Sequence, residues 1–169
     1  LEGYKVATKM AKHGAGGGSF SDWWAYKYEV IDAIPYNGPI LSEAGVTVAY
    51  NSDNAEMIRR LNQEAAKAVK YGGLSEEEAW KYVTLNPAKL LRIDDKVGSI
   101  AIGKHADLVI WSHNPLSIYA IAEKTIIEGA VFYDYDKLDE HIERNKQERE
   151  IIITQLKEAK KGGAKTQPA

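Results

Sequence analysis

Residues 46–54 read VTVAYNSDN. The run from Val46 to Tyr50 is β-branched or apolar at nearly every position, which predicts a short strand buried on both faces. Asn51, Ser52, Asp53 and Asn54 follow at once, and a helical pattern then runs from about Ala55 to Tyr71. Polar side chains crowded between the carboxyl end of a buried strand and the next helix are where α/β folds place their chemistry. Asp53 and Asn54 have a second reading as helix caps, because a short carboxylate or amide just before a helix accepts its free N–H groups.

Upstream of this stretch, Val6, Ala7, Met10 and Ala11 fall at helical spacing, with Lys5, Lys9 and Lys12 outside. Four glycines occupy the five positions from Gly14 to Gly18, a run that ends a helix or lets backbone pass close to something. No Gly-Lys-Ser/Thr follows, so the run lacks the parts of a phosphate cradle. Residues 19–37, SFSDWWAYKYEVIDAIPYN, hold six aromatic side chains: Phe20, Trp23, Trp24, Tyr26, Tyr28 and Tyr36. Such density suits a pocket wall or a packed interface, and equally the core of an irregular segment.

Downstream, residues 39–44 are predicted as a short helix ended by Gly45, and Gly72-Gly73 ends the long one. Ser75 and Glu78 form a capping box opening a helix to about Val83. Asn86-Pro87 is expected to cap and start another helix that reaches Leu91. Beyond Ile93 the pattern changes to short β runs, Val97–Ile100, Ala106–Trp111, Ile121–Ile127 and Ala130–Tyr133, punctuated by Gly98, Gly103, Asn114-Pro115 and Gly129. Asp107, just before an apolar run, is expected to accept backbone N–H bonds in a turn. Residues 136–161 alternate charge signs along a helix with Leu138, Ile142, Ile152 and Leu156 as its apolar stripe, and 162–169 read as a frayed tail. The expected organisation is therefore 1–93, 94–135 and 136–169.

Composition narrows the chemistry. The chain has 169 residues, 44% hydrophobic and 27% charged, with a net charge of −2. These are globular values, and the charge gives no basic field for nucleic acid. The aromatic stretch does not change this, since Lys27 stands there against Asp22, Glu29 and Asp32. The absence of cysteine removes disulfides, thiolate metal sites and cysteine nucleophiles, so any metal must be held by His, Asp or Glu. No apolar run approaches the ~20 residues of a membrane span. The chain opens Leu-Glu-Gly-Tyr with no targeting pattern and helical periodicity almost at once, as expected of a sequence that starts within a longer one.

Three segments together resemble the amidohydrolase superfamily, in its imidazolonepropionase-like and dipeptidase-like branch. They are VTVAYNSDN at 46–54, TLNPAKLLRI at 84–93, and VGSIAIGKHADLVIW at 97–111 followed by Asn114-Pro115-Leu116. The stretches LEGYKVA and SFSDWWAYKYEVIDAIPYNG are also similar to that branch, so the resemblance runs to about Tyr135. It implies an α/β fold: a (β/α)8 barrel joined to a small β-sandwich made from both chain ends, with metal at the carboxyl ends of the barrel strands. By this resemblance Gly14 to Trp24 span strand 7 and its loop, and Val46 to Tyr50 are strand 8. Asp53 then matches the strand-8 aspartate that ligates the metal and shuttles the proton.

The same resemblance implies a divalent metal, zinc first among candidates, as one or two ions. Its substrate is a small amide, cyclic amide or dipeptide hydrolysed by metal-activated water. Ser21, Asp22, Trp23 and Trp24 fall at the barrel mouth, where they are expected to meet substrate. The family's His-x-His is missing, and His13, His105, His113 and His141 match none of its ligand positions. A whole barrel takes roughly 250 residues, so only strands 7 and 8 are expected here, with most ligands outside this chain. The missing barrel segment must come from upstream or from a partner chain, and the chain alone is expected to be inactive and to form oligomers. The alternative is a non-catalytic half-enzyme or assembly module that pairs with another chain.

Overall fold

The computed structural model describes residues 1–163. Its centre is a parallel pair, β1 (Gly17–Ser19) and β2 (Val48–Tyr50), in which Gly17 stands opposite Val48 and Ser19 opposite Tyr50. The Gly17 amide donates to the Thr47 carbonyl at 2.9 Å, and the Asn51 amide donates to the Ser19 carbonyl at 3.0 Å. In a parallel ladder these contacts send the backbone groups of Val48 and Tyr50 to the far edge of β2. That edge is not open. The Tyr50 amide donates to the Tyr82 carbonyl at 2.8 Å, and the Asn86 side-chain amide donates to the Val48 carbonyl at 2.8 Å. β2 therefore has partners on both of its edges. A strand of three residues has few outward groups, and the turn around residues 82–86 meets two of them. The outer edge of β1, at exposed Gly18, is left to solvent.

Helices surround the pair: α1 (Ala7–His13), α2 (Asn37–Glu43), α3 (Leu61–Gly72), α4 (Glu76–Lys81) and α5 (Leu85–Leu91). Each ends where the sequence permits it. Gly14 and Gly73 take φ of +78° and +68° as caps of α1 and α3, a conformation that costs a residue with a Cβ about 1 kcal/mol or more. The Ser75 hydroxyl accepts the Glu78 amide at 3.2 Å, which is one half of the expected capping box. The core joins Leu41, Val46, Val48, Tyr50, Ala68, Ala79 and Tyr82. Alanines at the contacts let α3 and α4 come close to β2. Gly38 does the same for α2, since a Cβ there meets the Tyr50 hydroxyl at 2.3 Å.

Several boundaries move. The strand begins at Val48 rather than Val46, and a 3-10 turn, Met57–Arg60, precedes α3 where a helix from Ala55 is predicted. Asn86 is not the cap of α5: the helix starts at Leu85, and Asn86 turns its side chain to β2 instead. Residues 97–100 form no strand. They wrap around the Lys104 ammonium, which donates to the carbonyls of Asp94 and Val97 and to the Ser99 hydroxyl.

The remaining β runs form one antiparallel sheet, β3 (Leu108–Trp111), β4 (Ala122–Ile127) and β5 (Ala130–Asp134), in that order. It meets the helices through Trp80 and Trp111, edge to face at 6.5 Å, and through the Asn62 side chain, which donates to the Pro115 carbonyl at 2.7 Å. The Asp107 carboxylate accepts the Glu128 amide at 2.8 Å and so ties down the β4–β5 turn, the structural role expected of it. The last element is α6 (Leu138–Lys161). Among the described residues none after Ala88 is buried. Residues 164–169 of the expected tail lie outside the described residues.

Two substitutions probe these ties. Asn86→Ala leaves the Val48 carbonyl without its partner and is expected to lower stability by about 1–3 kcal/mol in denaturant unfolding. A change under about 0.5 kcal/mol, the size of an ordinary surface substitution, shows that the edge contact carries nothing. Asp107→Ala is expected to cost about 1 kcal/mol and to lower the melting temperature.

Candidate active site

The loops that leave β1 and β2 start side by side, because Ser19 and Tyr50 are register partners. Residues 20–24 therefore rise next to residues 51–54. The base under them is rigid. The buried Ser19 hydroxyl accepts the Asn37 side-chain amide at 2.8 Å, and the Asn37 side-chain oxygen accepts the Tyr4 backbone amide at 2.8 Å. The Tyr50 hydroxyl is pushed well above its ordinary pKa, first by burial and then by Tyr82 and Glu64. It stays protonated at physiological pH, so Tyr50 is a packing group and not a base.

After β2 the chain makes a bend. The Ser52 hydroxyl accepts the Asn54 amide at 3.1 Å. The Asn54 side-chain oxygen accepts the amides of Glu56 and Met57 at 2.9 and 3.1 Å. Of the two capping candidates in the sequence, Asn54 does the capping. Asp53 is exposed in the bend, and among the described residues no hydrogen bond or ion pair holds its carboxylate.

After β1 the side chains are engaged. The Ser21 hydroxyl, 2% exposed, donates to the carboxylate of Glu64 on α3. Lys67, one turn further along α3, bridges Glu64 at 2.8 Å and Asp22 at 2.5 Å. Ser21 and Asp22 are thus brought together with Glu64 and Lys67 in one brace between loop and helix. Trp23 packs edge to face on Tyr26 at 4.7 Å, and Trp24 on Tyr71 at 5.3 Å. Trp23 and Ala25 take positive φ of 76° and 49°, a strained backbone for residues with a Cβ. Both indole N–H groups are buried with no hydrogen-bond partner among the described residues. A buried donor left unpaired costs about 1–3 kcal/mol, so these two indoles are a local cost in the loop.

Glu64 and Lys67 were not singled out by the sequence reading. At spacing i, i+3 they look like an ordinary surface ion pair. The signal lay beside them: Ala65 and Ala68, both fully buried, bring α3 so close that Glu64 is drawn under the loop.

The brace makes an uneven prediction. Glu64 is a buried anion, its side chain 5% exposed, so Lys67→Met leaves it unpaired. That variant is expected to lose about 3 kcal/mol of stability. Lys5→Met, which breaks only exposed contacts to Glu2 and Asp32, is expected to lose clearly less. Equal losses in denaturant unfolding contradict the brace.

Comparison with known proteins bears on most of the chain. The model of the amidohydrolase family matches residues 38–160. Amidohydrolase tasK of Hapsidospora irregularis is 34% identical over 116 residues, covering 68% of this chain and 12% of that protein. The imidazolonepropionase of Shewanella baltica is 55% identical over 38 residues, 22% of this chain and 9% of its own length. The solved structure of an amidohydrolase from Thermotoga maritima superimposes with a TM-score of 0.71 at 31% identity, over 79% of this chain and 35% of that one. The chain therefore spans about a tenth of the curated relatives and about a third of the solved structure. With the family match running from α2 almost to the end of α6, the chain belongs to the amidohydrolase family.

Proposed function

We propose that this chain is the carboxyl-terminal portion of a metal-dependent amidohydrolase that hydrolyses an amide, cyclic amide or dipeptide bond with metal-activated water. In this reading β1 and β2 are the last two strands of a (β/α)8 barrel, and β3–β5 belong to a small β-sandwich. The observation that carries it is the division of labour between Asn54 and Asp53. Asn54 satisfies the backbone N–H groups of the bend. The Asp53 carboxylate is left free just past the carboxyl end of a buried parallel strand, the place where such barrels hold their reacting groups.

Asp53 supplies one ligand. Among the described residues no group of three or more His, Cys, Asp or Glu side chains stands ready to hold an ion. Catalytic ions use about three protein ligands or more. The rest of the ligand set is therefore assigned to the missing barrel segment or to a partner chain. When bound, a divalent cation, zinc first among candidates and one or two in number, acidifies water and polarises the scissile carbonyl. The Asp53 carboxylate accepts the proton of the attacking water and returns it to the leaving nitrogen. Trp23 and Trp24 wall the mouth, and their free indole donors suit an acceptor oxygen on the substrate. Ser21 and Asp22 hold that wall in place through Glu64 and Lys67.

That none of the described residues after Ala88 is buried supports a chain that is completed by further polypeptide. Joined to the missing segment, by fusion or co-expression, it is expected to take up divalent metal and to hydrolyse small amides or dipeptides. The 169-residue chain alone is expected to do neither. In the completed enzyme Asp53→Asn keeps the fold and lowers turnover by about 10²–10⁴. Activity within about tenfold of the parent removes Asp53 from the mechanism. A completed protein that folds but binds no metal and cleaves nothing supports the non-catalytic assembly module instead.

A further inference from the structure

The stretch from Phe20 to Ile31 is fixed at its two ends. At one, the Asn51 amide donates to the Ser19 carbonyl at 3.0 Å. At the other, the Tyr4 hydroxyl donates to the Asp32 carbonyl at 3.0 Å, and Lys5 pairs with the Asp32 carboxylate. Between those points the attachment is one-sided. Among the described residues, every hydrogen bond, ion pair and ring contact that the side chains of residues 20–31 make outside the stretch ends on α3. Ser21 meets Glu64, Asp22 meets Lys67, and Trp24 meets Tyr71. Glu64, Lys67 and Tyr71 follow one another at steps of three and four, so they form one stripe along the helix. The ring contacts of Trp23, with Phe20 and Tyr26, lie inside the stretch and tie it to nothing else.

The docked position is costly. Trp23 and Ala25 hold positive φ, a region that residues with a Cβ avoid. The indole N–H groups of Trp23 and Trp24 are buried without a hydrogen-bond partner among the described residues. A stretch released from α3 can give up both φ values and turn both donors to water. What opposes release is the stripe. Its ion pair is the most open of the three contacts, with the side chains of Asp22 and Lys67 38% and 23% exposed. A costly local conformation held by a few contacts on one side is poised between two positions.

We propose that residues 20–31 form a flap with two positions, docked on the α3 stripe and released from it, with Lys67 as the latch. The positions differ in what they offer the mouth beside Asp53. Docked, the flap shuts both indole donors away from any ligand; released, it makes them available to an acceptor. That consequence rests on the reading of residues 20–24 as the mouth of the site. The docking equilibrium itself depends on neither Asp53 nor a metal, and it is measured without activity.

The chain has no cysteine, so a single introduced thiol is unique. Ser21→Cys puts one under the docked flap, at a position 2% exposed, and Val48→Cys puts a reference thiol in β2 at 0%. Both 169-residue proteins are labelled with iodoacetamide under native conditions, and the rate in denaturant gives the free-thiol limit. The thiol at 21 is expected to react at least about tenfold faster than the one at 48, and at least about tenfold slower than the free thiol, because the flap opens below the cost of global unfolding. Added to Ser21→Cys, Asp22→Asn removes one arm of the latch, leaves Lys67 with Glu64, and is expected to raise the rate about threefold. Ala25→Asn acts at an exposed position through the backbone alone, since Asn tolerates positive φ, and is expected to lower the rate about twofold. Neither is expected to change the rate at 48.

Equal rates at 21 and 48 mean that only whole-chain unfolding opens the stretch, and they overturn the proposal. So does a rate at 21 that Asp22→Asn fails to raise or Ala25→Asn fails to lower, or a change shared equally by 48. Ser21→Cys weakens its own contact with Glu64, so the parent chain supplies a second measurement. By 15N NMR the Trp24 indole N–H is expected to exchange with solvent more slowly than an unprotected indole and faster than the Tyr50 amide, which is bonded to the Tyr82 carbonyl. Exchange at the unprotected rate means that the stretch does not dock, and exchange at the Tyr50 rate means that it does not release; either result overturns the flap.

Discussion

The backbone of Val48 to Tyr50 has to find hydrogen-bond partners on two edges while its side chains are buried on both faces, and the first ninety residues are arranged around that demand. β1 serves one edge. The other is served by groups that belong to no strand, the Tyr82 carbonyl and the Asn86 side chain. Tyr82 directly follows α4 and Asn86 lies in the first turn of α5, so the junction of these helices must lie against β2 rather than simply near it. The small residues at the contacts, Ala68, Ala79 and Gly38, follow from the same demand, because larger side chains would hold the helices too far away for the bonds to form. The edge at Gly18 has no such provision, which makes it the natural place for another strand to join.

A second division runs across the chain at about Ala88. Before it, apolar side chains are buried and polar ones such as Ser19, Asn37 and Glu64 are buried with partners. After it, the backbone is well paired in β3–β5, yet Ile100, Ile102 and Phe132 remain exposed. Backbone hydrogen bonding alone does not stabilise a three-stranded sheet in water; it needs a covered apolar face. The local contacts that do hold this half are polar and specific: Asp107 on the turn, Lys104 on its loop of carbonyls, Lys124 with Asp134 at 2.9 Å. They preserve the shape of a surface whose apolar side chains stay exposed.

What could be read from sequence was whatever local chemistry decides. Gly73 as a helix end, Ser75 as a cap and Asp107 as a turn acceptor each depend on residues a few positions away, and each is where its type predicts. Asn86 was misplaced as a cap because Asn-Pro is a good local start signal, whereas its partner, Val48, is thirty-eight residues distant. Val97–Ile100 has the composition of a strand but is bent around an ammonium group that no periodicity reveals. In the candidate site the same rule holds. The polar cluster after β2 was legible as a block, but which member caps and which is left free depends on the bend. The brace through Glu64 and Lys67 depends on how closely α3 approaches, which only the tertiary structure fixes.

That last point bears on which carboxylate can react. Three acidic side chains stand near the carboxyl ends of β1 and β2. Glu64 is buried between a hydroxyl and an ammonium, and Asp22 is held by the same ammonium. A carboxylate in such a position has its lone pairs engaged, and moving it to meet a metal or a proton breaks the brace and strands a buried charge. Asp53 carries neither cost: its neighbour Asn54 has taken the capping work, and Asp53 itself is exposed in the bend that Ser52 and Asn54 fix. A group that must exchange protons repeatedly cannot also be a structural anchor. Of the three, Asp53 alone makes no such contact among the described residues, which is why the proposed reaction rests on it, while Glu64 and Asp22 hold the neighbouring loop.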